Sequence, residues 1–531
     1  MKSYLSIGSR VSNIRNLFLL SALLLIMQLP VSGSGETIKF TVSTDDAINH
    51  NFRVTMTLTG IQQDFTVLKM PVWSPGYYWI QNYPKNLSSF IARDEKGRIM
   101  SYEKTLKNAW KVKTAGVGTL TVSYTVYADN HSVADPFIDS THAFIAPAGL
   151  FLYPEGRLKS PSEITFIPYN GWQTVSTGLD PVPGKTFTYN APDFDVLFDS
   201  PVLIGNQEVM TFDVDGVPHH LAVLHPGIYD IEKLKADYKK MVQSAVGLTG
   251  EMPYRHYTFL IMGQGGGGLE HTNSMAVLTG FRGADIHPAE RKSFLGWMSF
   301  IAHEYYHLYN VKTIRPVALG PFDYDRENYT NMLWVSEGFT VYFEDIILNR
   351  AGFMNGDEML ESYSRTITNY ESVPGSRVQP VTLSSFDTWI NFFNRSKNSA
   401  NTTISYYDKG CGLALLLDLK IRKETDNARS LNDVMRRLYW HYYKELGRGF
   451  TDAEFRTECE SIAGCSLEEI FDYASSTVRP DYNKYLDYAG LYLAEEVSGN
   501  PDMGSKFTIK RSETVTAQQK KIYDDMFRPV I

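Results

Sequence analysis

The eight residues Ile301-Ala302-His303-Glu304-Tyr305-Tyr306-His307-Leu308 constrain this chain more than any other stretch. The run reads as helix, and four residues of helix bring His303 and His307 to one face about one turn apart. Two imidazoles so placed can each give one nitrogen to a tetrahedral Zn²⁺, with Glu304 beside the metal to take the proton of a water. The chain has 12 histidines in 531 residues, so chance writes this pattern into only roughly one or two such chains in a hundred. The competing reading, two histidines on the buried face of a core helix, needs no metal.

A metal-bound water is useful for hydrolysis only when three protein ligands hold the ion and a fourth position stays open. Glu337 is the candidate third ligand. It lies thirty residues beyond His307, in the helical run Leu333-Trp334-Val335-Ser336-Glu337-Gly338-Phe339-Thr340. A carboxylate among neighbours that apolar is in a segment expected to be buried, where it needs a partner such as a metal.

The rest of the chain sets limits on this centre. A formal net charge of -8 and a pI near 5.9 exclude the basic face that a nucleic-acid or anionic-membrane partner would require. Residues 1–33 read as a signal peptide: Lys2, Arg10 and Arg15 precede a thirteen-residue apolar run at 17–29, and Val31-Ser32-Gly33 offers small residues for cleavage. The expected location is therefore exported, periplasmic or secreted, with no membrane attachment after cleavage. An uncleaved anchor is the alternative, although the run is short for a bilayer. Three cysteines exclude a disulfide framework. Cys459 and Cys465 could pair or remain buried thiols, which leaves Cys411 single.

Hydrophobic periodicity divides the mature chain. Residues 34–225 read as an N-terminal β-sandwich-like domain. Phe52, Val54, Met56 and Leu58 alternate with polar residues, as do Leu120, Val122, Tyr124 and Val126. From 226 to 355 the spacing turns helical at Ile231, Leu234, Tyr238, Met241 and Val242. A strand follows at 257–262, then a glycine run at 265–268. The metal-motif helix is expected from about Pro288 to Asn310, and the helix carrying Glu337 to near Gly352. Residues 356–490 read as an α-helical lobe, and 491–531 as a tail with a short terminal helix.

Taken together, His303-Glu304-Tyr305-Tyr306-His307, Arg315-Pro316, Gly320-Pro321-Phe322-Asp323-Tyr324 and the run around Glu337 resemble the glycyl aminopeptidase family of thermolysin-like zinc peptidases. Pro71-Val72-Trp73-Ser74-Pro75-Gly76-Tyr77-Tyr78 and Gly267-Gly268-Leu269-Glu270-His271 are similar to it as well. The resemblance implies a multidomain β plus α/β fold: the β domain, a thermolysin-like catalytic domain, and the helical lobe over its cleft. It implies one Zn²⁺ per chain on His303, His307 and Glu337, and peptide substrates. Glu270 would hold the substrate's free α-amine, while Gly267 and Gly268 pair with its backbone. Tyr407, in Tyr407-Asp408-Lys409-Gly410, would donate a hydrogen bond to the developing oxyanion, with the adjacent Tyr406 as the alternative donor.

Two departures from the family pattern stand out. About forty residues follow the segment near Gly490, too few for the PDZ-like module of the relatives, so that module is expected to be absent. Tyr306 and Tyr309 replace the Phe and Trp of the pattern and are expected to repack the cleft without removing a ligand. The expected function is an exported zinc aminopeptidase, with small first residues such as Gly or Ala implied by the family. A zinc endopeptidase with an open cleft and an inactive peptide-binding envelope protein are the alternatives.

Overall fold

The structure, a computed structural model, describes residues 37–224, 230–263, 265–279, 290–497 and 504–528. The signal segment and Pro288 lie outside the described residues. The two alternating series turn out to be partners across one antiparallel ladder, with Phe52 opposite Val126, Val54 opposite Tyr124, Met56 opposite Val122 and Leu58 opposite Leu120. All eight side chains are buried. This ladder lies in an eight-stranded sheet, in which Ile38–Asp46 pairs antiparallel with Asn51–Thr59 and parallel with Ser162–Ile167. Strands of two four-stranded sheets share its apolar core. The N-terminal unit is therefore β-rich, with three sheets around one interior.

The next sheet begins before the sequence boundary at 225. Glu208–Val214 and Val217–Val223 form a hairpin whose second strand pairs in parallel with Tyr257–Ile261, Leu221 opposite Phe259. Alternation marks these segments as strands, but it cannot say which sheet a strand joins, because its partner is distant in sequence. Ser274–Val277 continues the sheet in parallel, and Gly268–Glu270 closes it antiparallel as an edge strand. Helix Ile231–Thr249 is capped by the Asp230 side chain and ends on left-handed Gly250. Its spaced residues Leu234, Tyr238, Met241 and Val242 are buried, whereas Ile231 in the first turn stays exposed.

One apolar core runs through this sheet, the metal-motif helix and the helical lobe. The division near 355 is therefore a change of secondary structure rather than a separate interior. The helix Tyr406–Glu424 crosses Gly338–Arg350 where Gly338 and Gly410 meet; a Cβ on either would collide with the other helix's backbone. That close crossing carries Tyr407 to the same cleft as His303. The tail holds more structure than expected. Leu491–Glu496 and Lys506–Arg511 form a hairpin, and Ile509 donates its N–H to Ser364 Oγ at 2.9 Å. Helix Ala517–Phe527 then docks on the lobe, Asn349 donating to the Phe527 carbonyl at 3.3 Å. All three cysteines are free thiols, so Cys459 and Cys465 do not pair. Among the described residues no helix is long and apolar enough to cross a membrane.

Asp345, inside Gly338–Arg350, is buried with neither carboxylate oxygen hydrogen-bonded. Burial first, and then the charge of Glu344, push its carboxyl well above the ordinary range. An acid raised in the folded state costs nothing below its unfolded pKa. It destabilises progressively as pH rises toward the folded value. Asp345→Asn is therefore expected to gain stability over the parent protein between pH 5 and 7, by up to about 1.4 kcal/mol per pH unit. Urea denaturation at both pH values measures this, and equal stability differences at the two would refute it.

Candidate metal centre and peptide cleft

The helix Arg291–Tyr306 stops four residues before the expected end, and His307 is its C-cap. His307 keeps helical dihedrals, and its N–H still donates to the His303 carbonyl at 3.2 Å, so both imidazoles stay on one face. Their Nε2 atoms face each other 3.0 Å apart. Glu337 does not lie within a single helix. It is the junction between Leu333–Ser336 and Gly338–Arg350. Its Oε2 lies 3.1 Å from His307 Nε2 and 3.6 Å from His303 Nε2.

The far ring nitrogens are already engaged. His303 Nδ1 donates to Glu344 Oε2 at 2.7 Å, and Ser299 Oγ donates to the other oxygen of Glu344 at 2.7 Å. His307 Nδ1 donates to the Asn310 carbonyl at 2.8 Å. The Asn310 amide group in turn donates to the carbonyls of Val335 and Ser336 at 2.9 and 3.0 Å, which ties the His307 turn to the Glu337 junction. With Nδ1 protonated and bonded, each Nε2 is a free lone pair aimed at the shared point.

These donors fit a divalent cation. Among the described residues His303, His307 and Glu337 form the one His/Cys/Asp/Glu cluster whose ligand atoms converge, and Glu337 Oε2 is buried without a hydrogen bond. Burial disfavours charge on all three. Even so, His307 and His303 draw the Glu337 carboxyl below its usual range, and Glu337, with Glu344 for His303, draws both imidazoles upward. A cation would take the place of the protons these groups share. Two nitrogens and one oxygen suit Zn²⁺ and leave a position open.

Glu304 points into the same cleft, where burial pushes its carboxyl up to about 7 against the pull of His303 and His307. It packs on Gly268, where a Cβ would overlap the Glu304 carboxylate and crowd the Phe300 ring. Gly267 and Gly268 thus present bare backbone to the cleft, Gly268 within the edge strand. Glu270, two residues further, is buried, and its Oε1 has no hydrogen-bond partner. Gly76 of the N-terminal unit lies directly against this carboxylate. Behind Glu270 the Lys312 ammonium stands 3.7 Å from Oε1 but only 2.8 Å from Asp199 Oδ1. Asp199 also accepts from the Thr272 N–H at 2.8 Å and lies 3.0 Å from His271 Nδ1. Asp199 thus holds the Lys312 ammonium closer than Glu270 does, and Glu270 Oε1 is left without a hydrogen bond.

Tyr407 lines the cleft, its ring stacked 6.1 Å from that of His303. Burial and the Glu337 charge keep its phenol protonated, as a donor must be. Tyr406 is turned away, its hydroxyl bonded to Thr388 Oγ1 at 3.0 Å. Tyr306 and Tyr309 do not repack the cleft. Tyr306 packs on Phe343, and the Tyr309 hydroxyl, in the turn after the helix, donates to the Glu251 carbonyl at 2.8 Å; both side chains are buried in the core. Asn310, Lys312 and Glu344 were given no site role from the sequence, and Gly76 stood only inside the stretch 71–78. Of these, Glu344 carries a signal there, since it follows Glu337 by two helical turns and so shares its face.

Because Glu344 orients His303, Glu344→Ala is expected to lower Zn²⁺ affinity by about 10- to 100-fold while keeping the fold. Competition with a fluorescent zinc chelator reads this, and an unchanged affinity would remove Glu344 from the centre.

A domain model described as the Peptidase M61 N-terminal domain matches residues 39–206, and one described as M61 glycyl aminopeptidase matches 296–413; together they take in more than half of the chain. No curated protein sequence matches it. Among solved structures, an aminopeptidase N family protein from Idiomarina loihiensis is 29% identical. The match covers 90% of this chain and 82% of that one, with a TM-score of 0.83. An M1 zinc metallopeptidase from Deinococcus radiodurans shares the fold at 13% identity, covering 84% of this chain and 95% of that one, with a TM-score of 0.50. Legionella pneumophila aminopeptidase A also shares it at 13% identity, covering 90% and 56%, with a TM-score of 0.52. The two domain matches, the fold and the His-His-Glu cluster agree: the chain belongs to the M61 glycyl aminopeptidase family and is a metallo-aminopeptidase.

Proposed function

We propose that this protein is an exported enzyme, periplasmic or secreted, that removes single residues, Gly and Ala among them, from the free amino ends of peptides. It would use one Zn²⁺ per chain on His303, His307 and Glu337. The observation that carries this reading is the buried Glu270 carboxylate, unbonded at Oε1, in the same cleft as the three ligands. A substrate ammonium paired there anchors the peptide by its end. The edge strand Gly268–Glu270 offers unpaired backbone along which an extended peptide can lie.

The chemistry supplied by the bound ion is Lewis acidity, which acidifies water toward a pKa of about 7 and polarises the scissile carbonyl. Glu304 takes the proton from the attacking water on a carboxylate oxygen and passes it to the departing amine. The Tyr407 hydroxyl donates to the carbonyl oxygen as that atom gains charge. Glu270, left without a hydrogen bond at Oε1 while Asp199 holds Lys312 closer, fixes which peptide bond reaches Glu304.

Hydrolysis of free against N-acetylated peptides tests the assignment. Glu270→Ala is expected to lose about 2–5 kcal/mol of transition-state binding, roughly 30- to 5,000-fold in kcat/KM, on free peptides. Acetylated peptides lack the charge, so they should be poor substrates throughout and little affected. Equal cleavage of both by the unaltered protein would replace the aminopeptidase with an endopeptidase. Tyr407→Phe is expected to lower kcat by about 10²–10³ with little change in KM. Steady-state kinetics showing that loss for Tyr406→Phe instead would reassign the donor.

A further inference from the structure

We propose that the helical lobe carries a second binding site, for a free α-amino acid, which is separate from the peptide cleft and coupled to it through Phe392. The site is a cavity of about 400 Å³, within the range of small-molecule sites. Of the residues that line it, Phe392 alone also lines the cleft. Its ring is the partition between the two. On one side it packs on Tyr406 at 5.2 Å, and it stacks on Tyr407 at 5.4 Å. Tyr406 belongs to the new cavity and Tyr407 to the cleft.

The walls bear charges of both signs that no ion pair joins. Asp408, in the first turn of Tyr406–Glu424, accepts a hydrogen bond from Asn369 Nδ2 at 3.3 Å and forms no ion pair among the described residues. Burial raises its carboxyl, and Arg395 and Arg365 draw it back by their charge alone, without touching it. The Arg395 guanidinium stands 5.2 Å over the Phe392 ring, which leaves its N–H edge free for a carboxylate. Lys397 adds a second exposed cation to the same wall. An ammonium at Asp408 and a carboxylate at Arg395 is the charge pattern of an amino-acid zwitterion, whereas a simple anion or cation satisfies one wall only. No lysine or arginine lines the cleft, so these two cations set the cavity apart from it. A carboxylate drawn to Arg395 bears on Phe392, and through that ring on Tyr407, whose hydroxyl must meet the carbonyl oxygen. The released residue then slows its own formation. That the ligand is the enzyme's product rests on the aminopeptidase reading; the cavity and its charges do not.

Calorimetry on the zinc-loaded full chain carrying Glu270→Ala, which lacks the amine anchor of the cleft, tests the site. L-Alanine is expected to bind at about one per chain with a Kd of about 1 mM or tighter. N-acetylalanine lacks the ammonium and ethylamine lacks the carboxylate. Each is expected to bind at least about 10-fold more weakly, and adding Arg395→Gln to weaken alanine by about 10-fold. Arg395 is exposed, so its replacement leaves the packing of the lobe alone, and Lys397→Gln repeats the arm. In steady-state hydrolysis of alanine aminomethylcoumarin amide, added alanine is expected to lower kcat, and Arg395→Gln to remove that loss while leaving any rise in KM. No alanine binding to the Glu270→Ala chain, equal binding of the three probes, or an affinity indifferent to Arg395→Gln would each overturn the proposal. Inhibition confined to KM would do so too, because alanine would then act in the cleft alone. An amide that the unaltered protein leaves intact would overturn the aminopeptidase reading, and the calorimetry would still decide the site.

Discussion

The hydrogen bonds on the far nitrogens of His303 and His307 decide what the near nitrogens can do. One goes to a carboxylate, Glu344, and the other to a main-chain carbonyl, that of Asn310. Both fix the ring tautomer, and with it the direction of each free lone pair. Asn310 binds His307 with its carbonyl and the carbonyls beside Glu337 with its side chain, so moving either helix strains the other's ligand. Glu337, at the junction of two helical segments, keeps helical dihedrals, its N–H donating to the Leu333 carbonyl at 2.7 Å and its carbonyl accepting from Val341 at 2.9 Å, so the turn that presents its carboxylate is held on both sides.

The sequence is most legible where one period governs. The two strands that alternate most cleanly prove to face each other residue for residue. The His303/His307 spacing likewise placed two nitrogens at one point, 3.0 Å apart. Long-range choices were not legible. Glu208–Val214 fell inside the 34–225 span assigned to the first domain, yet its hairpin partner continues the catalytic sheet. Tyr306 and Tyr309 were misread because proximity in sequence to the metal motif suggested the cleft, whereas Tyr306 packs on Phe343 and Tyr309, in the turn beyond the helix, bonds to the Glu251 carbonyl. Gly76 touches Glu270 and Asp199 pairs with Lys312 across segments that no periodic pattern links.

The N-terminal unit does more than flank the catalytic one. Trp73 is fully buried, its indole N–H donating to the Asp323 carbonyl at 2.8 Å and its ring edge-on to Phe322 and Trp389. Val72 donates to the Tyr324 carbonyl at 2.9 Å, and Lys69 pairs with Asp325 at 2.7 Å. These bonds seat the loop that ends at Gly76 and Tyr77. Its position therefore depends on residues between the metal-motif helix and Glu337, so the two units share one set of tolerances.

The contact between Gly76 and Glu270 makes the cleft a joint product of segments far apart in sequence. The anchoring carboxylate comes from the middle of the chain, the surface that seals it from the first part, and Tyr407 from further on, in the lobe. No single segment holds a working cleft. The cleft therefore exists only where three distant parts of the chain meet.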